Sequence, residues 1–416
     1  MKTGTGITLR KQAQFFRGPR GFAGPSAFVQ VLSVERKPSF GLQVLVFSLV
    51  CAAFSTIYIT QPVLPVLQAE FHVDETKASY TIAAVILGIA LSTLPFGVIA
   101  DRYPIKPIIL TGGLAVSLCG ISAALATGLT LLIVVRFIQG LFIPSLTTCM
   151  AAYLARSLPK ESLNVVMGSY VSATVAGGLG GRLLGGWVHP PLHWRYAFVS
   201  ASVLLLAATA AAFRWLPPED RGAAAETRGV PFAYLLRRLL PIYLVAFSAF
   251  FVFSSTFNYL PFYLAGPPFF ARTEVITLMY LSYVVGIIIG PLAGRLSNRI
   301  GNGSTMILGA LVFGLSVGAT LLRSMVAIGV SLGGICAGFF TIHAAAAGAL
   351  NRRLSDSRGR ANSLYVLFYY LGGTIGITLS GYAYGFAGWF GVTTLAWAML
   401  LVPFGTGLSE SGRRGD

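Results

Sequence analysis

The sequence predicts an all-α membrane fold of twelve transmembrane helices in two pseudo-symmetric six-helix bundles, and three observations lead there. The chain of 416 residues is 55% hydrophobic and only 10% charged, with a mean hydropathy of +0.75. That is more apolar surface than a water-soluble protein of this size could hide. Charge-poor stretches of about 20 residues recur along it, the length a helix needs to cross a bilayer core of about 30 Å. A charged turn between two such stretches, Gly97-Val-Ile-Ala-Asp101-Arg102-Tyr-Pro-Ile-Lys106, returns in altered form 197 residues later as Gly294-Arg-Leu-Ser-Asn298-Arg299-Ile-Gly301.

Taken in order, span 1 covers 42–67 and follows a tail, residues 1–41, that holds seven Lys or Arg against one Glu. The span is too long for a cleavable signal core, and the tail reads as a disordered cytoplasmic extension or as an over-long start. Spans 2 (76–100) and 3 (107–128) flank the charged turn. Spans 4 (130–153) and 5 (164–187) carry Arg136 and Arg182, and span 6 (194–215) completes the first bundle, 42–215. Residues 216–240, with Pro217, Pro218, three acids and four arginines, form a cytoplasmic linker. The second bundle, 241–407, comprises 241–265, 274–296, 304–322, 324–348, 361–385 and 389–407, leaving 408–416 as a cytoplasmic tail. In lipid every backbone group must bond internally, so spans of this length without strand-like alternation are helices.

The net charge of +17 would suggest nucleic acid in a soluble protein, but its distribution points elsewhere. With a cytoplasmic N-terminus, Lys77, Arg195, Arg272 and Arg323 fall outside, Arg136 and Arg182 lie within spans, and the remaining 24 of 30 Lys and Arg lie in tails or inner loops. This is the positive-inside pattern, with both termini cytoplasmic in a bacterial inner (plasma) membrane and the basic excess facing anionic lipid. Cys51, Cys119, Cys149 and Cys336 all sit inside spans without metal-ligand spacing and read as packing residues. No phosphate-cradling Gly-Lys-Ser/Thr loop, metal-spaced His and Cys cluster or Gly-x-Ser-x-Gly turn occurs, so enzymatic chemistry, a metal and a cofactor are not expected.

The internal repeat holds at three places. Leu64-Pro65 returns as Leu260-Pro261 at an offset of 196, the charged turn returns at 197, and span 5 returns as span 11 at 195. In the last match Gly177, Gly178, Gly181, Gly186 and Trp194 align with Gly372, Gly373, Gly376, Gly381 and Trp389. Parallel repeats related by an axis along the membrane normal are a carrier architecture. Gly177, Gly181, Gly186, Gly372, Gly376 and Gly381 then permit close, sliding helix contact.

With twelve spans and this repeat, the chain resembles the major facilitator superfamily. Gly97 to Lys106 looks like that family's loop between helices 2 and 3. Leu132-x-x-x-Arg136-x-x-Gln139-Gly140 resembles its helix 4 motif. Gly177-x-x-x-Gly181-Arg182-x-x-Gly185-Gly186 resembles its helix 5 antiporter motif, with Arg182 where proline is usual. Gln61-Pro-Val-Leu-Pro65, Asn258-Tyr-Leu-Pro-Phe262 and Leu367-Phe-Tyr-Tyr-Leu-Gly372 look like bacterial arabinose-efflux-type permeases, a branch near the drug:proton antiporters. The resemblance implies a monomeric secondary transporter and implies export. It also implies that the charged turns (Gly97, Asp101, Arg102, Lys106, Gly294 and Arg299) serve as a cytoplasmic gate.

Arg136 and Arg182 are the costliest residues here, since an arginine at mid-helix costs about 2.5 to 3.5 kcal/mol to insert. No Asp or Glu lies deep in any span to pair with them. Either they present an electropositive surface to an anionic or polar cargo, or they cap carbonyls and fasten helices 4 and 5. Tyr58 and Gln61 in span 1, and Asn258 and Tyr259 in span 7, are neutral binding candidates, with interhelical hydrogen bonding of about 0.6 kcal/mol each as the other reading. A proton-coupled carrier needs a group that changes protonation, and His343, alone deep in span 10, is one candidate. Asp101 is a weaker one. The sequence thus points to proton-coupled export of a small molecule, with uptake or exchange of an organic anion as one alternative and a non-transporting sensor or assembly protein as another.

Overall fold

The computed structural model describes residues 40–158, 160–217, 231–353 and 358–412. The tail 1–39, linker residues 218–230 and residues 413–416 lie outside the described residues. No strand occurs among those described, and twelve crossings run in the expected order.

Helix α1 is in two pieces, Phe40–Ser55 and Leu64–Phe71, joined by an irregular stretch and the 3-10 turn Gln61–Val63. Then follow α2 (Glu75–Arg102), α3 (Ile105–Ala124), α4 (Leu129–Leu146 and Thr148–Ser157), α5 (Lys160–Val188) and α6 (Arg195–Trp215). The second half holds α7 (Phe232–Ala265), α8 (Thr273–Met279 and Tyr283–Ile300), α9 (Asn302–Ala319) and α10 (Met325–Arg352). The stretch Arg358–Gly412 is helical except at Ala387 and Gly388, where φ of −135° and +58° divide it into α11 (358–386) and α12 (389–412). Twelve crossings bring the first and last helices to one side, the terminal face; the opposite side is the far face.

Three expectations on boundaries change. Span 1 is not continuous: Pro62 and Pro65 each lack the N–H that would bond one turn back, and the β-branched run Thr56, Ile57, Ile59 and Thr60 disfavours helix further. Its repeat mate α7 keeps only Pro261 and stays helical throughout. The expected linker is shorter, because α7 begins at Phe232, and the last helix reaches Gly412.

Within each half, glycines set how closely helices approach. A Cβ at Gly181 would lie 2.0 Å from the Ser55 carbonyl and one at Gly177 2.4 Å from that of Cys51, so α5 lies against α1 backbone to backbone. In the second half, Gly372 and Gly376 make the same approach to the Phe247 and Phe251 carbonyls, at 2.1 and 2.6 Å. Gly177 and Gly181 thus set α5 on α1, and Gly372 and Gly376 set α11 on α7.

Candidate functional site

The break in α1 organises the polar centre. The segment 56–60 leaves carbonyls without helical partners inside an apolar bundle, which costs several kcal/mol per group unless a donor is supplied. Arg136 on α4 supplies it. Its Nη1 donates to the Thr56 carbonyl at 2.7 Å, its Nη2 to that of Ile57, and its Nε to that of Thr81 on α2 at 3.1 Å. Nη1 also donates to Gln139 Oε1, and Gln139 Nε2 continues to the Val116 carbonyl at 3.0 Å. Arg136 is fully buried, and Phe198 lies 5.4 Å from its guanidinium. Four of its five N–H groups are engaged, three on backbone carbonyls and one on Gln139, which ties α1, α2, α3 and α4 together and favours the carbonyl-capping reading of this residue over substrate contact.

Arg182 reaches the same break from α5 and is held differently. Nε donates to Gln61 Oε1 at 2.6 Å and Nη1 to the Gly178 carbonyl at 2.6 Å. Rings lie over the guanidinium, Tyr58 at 3.8 Å and Tyr283 at 4.3 Å, with Tyr280 at 5.5 Å. Tyr58 comes from α1, whereas Tyr280 and Tyr283 come from the other half, so Arg182 stands where the halves meet. Among the described residues its Nη2 has no carbonyl or carboxylate acceptor, while the Tyr58 hydroxyl is a hydrogen-bond partner of the Arg182 side chain. Tyr283 is 6% exposed, and its hydroxyl has no hydrogen-bond partner among the described residues.

Behind Tyr283 the second half presents an aromatic wall. Tyr283 meets Phe253 at 5.3 Å, Phe253 stacks on Phe339 at 4.0 Å, and Phe250 stacks on Tyr369 at 3.8 Å. His343 belongs to this wall: its Nδ1 lies 3.0 Å from the Tyr365 hydroxyl, and its ring faces Phe339 at 5.9 Å and Tyr369 at 5.5 Å. Tyr369 and Tyr370 keep partial exposure in mid-helix.

Asn258 and Tyr259 lie elsewhere and make interhelical hydrogen bonds, the other reading of these residues. Asn258 donates to Ser79 Oγ across the halves at 2.8 Å, and Tyr259 donates to the Ile377 carbonyl at 2.9 Å; both are fully buried. They belong to a seal on the far face. There Gly186 of α5 meets Thr277 of α8, and Gly381 of α11 meets Thr76 of α2; an added Cβ would lie 1.8 Å from Thr277 Oγ1 or 2.7 Å from Thr76 Cγ2. The Tyr80 and Tyr382 hydroxyls approach to 3.5 Å beside it.

At the terminal face, the named pairs of described residues join residues of one half. Asp101 pairs with Arg156 at the end of α4, and Arg156 also donates to the Ala100 carbonyl at 2.6 Å. In the second half Arg352 donates to Asn298 Oδ1 at 2.9 Å, and Arg353 pairs with Glu410. Arg156 and Arg352 stand 196 residues apart, on the repeat register, and that offset could have found them. Arg102 and Arg299 make no hydrogen bond or ion pair with described residues, and Cβ atoms at Gly97 and Gly294 would meet open space. Lys106 is partly buried at the start of α3. Asp101 is 73% exposed, a rim carboxylate rather than a membrane-buried proton site. Among the described residues, every named bond or ring contact between the halves lies at Arg182 or beyond it toward the far face, none at the terminal face.

At the far end of the first half, Glu70 accepts from Trp194 Nε1 at 2.5 Å and from Arg195 at 2.6 Å, while Arg195 also donates to the Ala126 carbonyl at 2.8 Å. Burial alone would raise the Glu70 carboxyl, but the Trp194 and Arg195 hydrogen bonds, with the charges of Arg195 and His193, hold it below its ordinary value.

Two six-helix halves sealed on one face around a buried polar centre define a multi-pass membrane transporter. The sequence profile of the Major Facilitator Superfamily matches residues 45–269 and 269–408, and the chain belongs to that family. It is 30% identical to the inner membrane transport protein YnfM of Escherichia coli (strain K12), over 86% of this chain and 87% of that protein. It is 29% identical to the MFS-type transporter YybF of Bacillus subtilis (strain 168), over 86% and 91%. Among solved structures, its fold is similar to that of a bacterial homolog to the human lysosomal transporter Spinster in an inward-facing, unoccupied conformation. The TM-score is 0.69 at 16% identity, covering 90% of this chain and 95% of that one.

Proposed function

We propose that this protein is a monomeric, proton-coupled exporter that carries a small molecule across a bacterial inner membrane by alternating access, with its terminal face cytoplasmic. One observation carries the reading: among the described residues, the named contacts between the halves lie around Arg182 and beyond it on the far face, while the named terminal-face pairs Asp101–Arg156, Asn298–Arg352 and Arg353–Glu410 each join residues of one half. This supports one-sided access. Rocking the halves about the Arg182 level would part Asn258 from Ser79 and Gly186 from Thr277 and open the other side. The basic excess on the terminal face supports its cytoplasmic placement.

The terminal pairs act as latches within halves. Asp101–Arg156 and Asn298–Arg352 tie the inner end of helix 2 to helix 4 and of helix 8 to helix 10, so each half moves as a unit. The free cations Arg102 and Arg299 are left to close the gate. For coupling, His343 with Tyr365 is the candidate, no Asp or Glu lying deep in a span.

Counterflow in proteoliposomes, run over a panel of acids, sugars and drugs with and without a pH gradient, tests the reading. Export is expected to depend on the gradient and to lose that dependence in His343→Gln; transport indifferent to pH overturns the coupling. A single cysteine at Asn258 tests the cycle without any cargo. Labelling by an impermeant maleimide from the far side is expected, and lasting protection would identify a static sensor or assembly protein.

A further inference from the structure

We infer that the cargo is an organic anion with a flat aromatic body, its carboxylate held by Arg182, Gln61 and Tyr283 and its ring by the aromatic wall of the second half. The inference rests on the carrier reading and assigns that site its substrate class.

The argument begins with hydrogen-bond capacity. A guanidinium has five N–H donors and no acceptor. The Tyr58 and Tyr283 rings lie over the Arg182 guanidinium, Gln61 and the Gly178 carbonyl take one bond each from Nε and Nη1, and the Tyr58 hydroxyl is a further acceptor against it. The rest of the edge carrying Nη2 is what remains. Two further groups belong to the same cluster: the Tyr283 hydroxyl, without a partner among the described residues on a ring 4.3 Å from the guanidinium, and Gln61 Nε2, whose amide oxygen bonds Arg182 Nε. All three residues are more than nine-tenths buried, at 2%, 6% and 1% exposure for Arg182, Tyr283 and Gln61.

Nη2 and the Gln61 amide nitrogen can only donate, the Tyr283 hydroxyl can donate or accept, and the nearest buried charge is positive. A cationic or donor-rich cargo would meet repulsion there. A carboxylate brings two acceptor oxygens and a negative charge, matching the free guanidinium edge. A buried donor left unmade costs about 1–3 kcal/mol, so filling this constellation is favourable as well as selective.

The body of the cargo follows from what adjoins the donors. From Tyr283 the contacts pass to Phe253, Phe339, Phe250 and Tyr369 without an intervening charge. Planar π surfaces stack on such walls, whereas a hydroxyl-covered sugar would lose hydration without gaining acceptors. Acetate would gain only the Arg182 edge.

The test is calorimetric titration of the purified full chain with 2-naphthoate, its uncharged isostere 2-naphthamide, and acetate. At least tenfold tighter binding of 2-naphthoate than of either comparator is expected. Arg182→Gln should bring naphthoate and naphthamide to equal, weak affinity without lowering the melting temperature. Tyr283→Phe, which keeps the ring, should weaken naphthoate several-fold. Equal affinity for the amide overturns the anion assignment, and equal affinity for acetate overturns the aromatic one. No naphthoate binding, or binding untouched in Arg182→Gln, overturns both. The Asn258→Cys labelling separates the two levels: labelling without naphthoate binding removes the cargo class and leaves the carrier, and binding without labelling does the reverse.

Discussion

The two halves share a repeat but divide the chemistry between them. The first half breaks its leading helix and props the break with Arg136. The second keeps α7 continuous, and at the position matching Arg136 in the register of Arg156 and Arg352 it has Leu332, fully buried. Where the first half places Arg182, the second has Ile377, fully buried. In exchange the second half carries the aromatic wall and the His343–Tyr365 pair. The difference teaches that duplication supplies the rocking frame, while binding needs unlike walls: one that supplies donors and charge, one that supplies π surface.

The frame should be equally intolerant in both halves, and the largest effect is expected there. Leucine at Gly181 would drive its Cβ into the Ser55 carbonyl, and leucine at Gly376 into that of Phe251, at 2.0 and 2.6 Å. Both should abolish folded protein by size-exclusion chromatography, Gly181→Leu the more completely; a well-folded Gly181→Leu would break the backbone-to-backbone account. The seal comes next. Gly186→Leu and Gly381→Leu should each fold but favour the far-open state, raising far-side labelling of Asn258→Cys several-fold. Labelling that rises for one and falls for the other would break the symmetry of the seal.

Smaller effects separate the latches. Asp101→Asn copies the second half's Asn298 and removes an exposed pair worth about 0–1 kcal/mol, so stability should fall by no more than that in a denaturant series. A loss much larger than this would make the latch a structural keystone.

The smallest effect is a pH response confined to the first half. Because Glu70 is held below its ordinary value when folded, it contributes stability above the unfolded carboxylate pKa of about 4.3, and that stability is lost as pH falls through the lower folded value. Trp194 fluorescence should report the change below pH 4.3, and Glu70→Gln should remove it.

Much of this was legible in the sequence because its causes are local. Hydrophobic length fixes the crossings, and observed helix ends fall within a few residues of expectation except at α7, whose start at Phe232 is amphipathic and basic rather than apolar. Gly181 and Gly376 were legible because the repeat register places them. The break in α1 was written in Pro62 and Pro65, yet hydropathy alone runs through it. What stayed hidden depends on contacts between distant segments. Nothing local pairs Arg182 with Gln61, 121 residues away, or sets Tyr283 on its face. Arg136 and Arg182 look alike as intramembrane arginines, and only the carbonyls of 56–57 tell them apart.

That distinction is the centre of the account, and melting curves of Arg136→Ala and Arg182→Ala beside the parent protein test it most directly. Arg136→Ala leaves three carbonyls and Gln139 without their donor in a buried site, at about 1–3 kcal/mol each, and should melt far lower or fail to assemble. Arg182→Ala leaves only Gln61 Oε1 without a donor, the Gly178 carbonyl keeping its helical N–H, and should melt much less far below the parent than Arg136→Ala while losing transport. Near-parental melting of Arg136→Ala together with collapse of Arg182→Ala would contradict the assignment of one arginine to the scaffold and the other to the cargo.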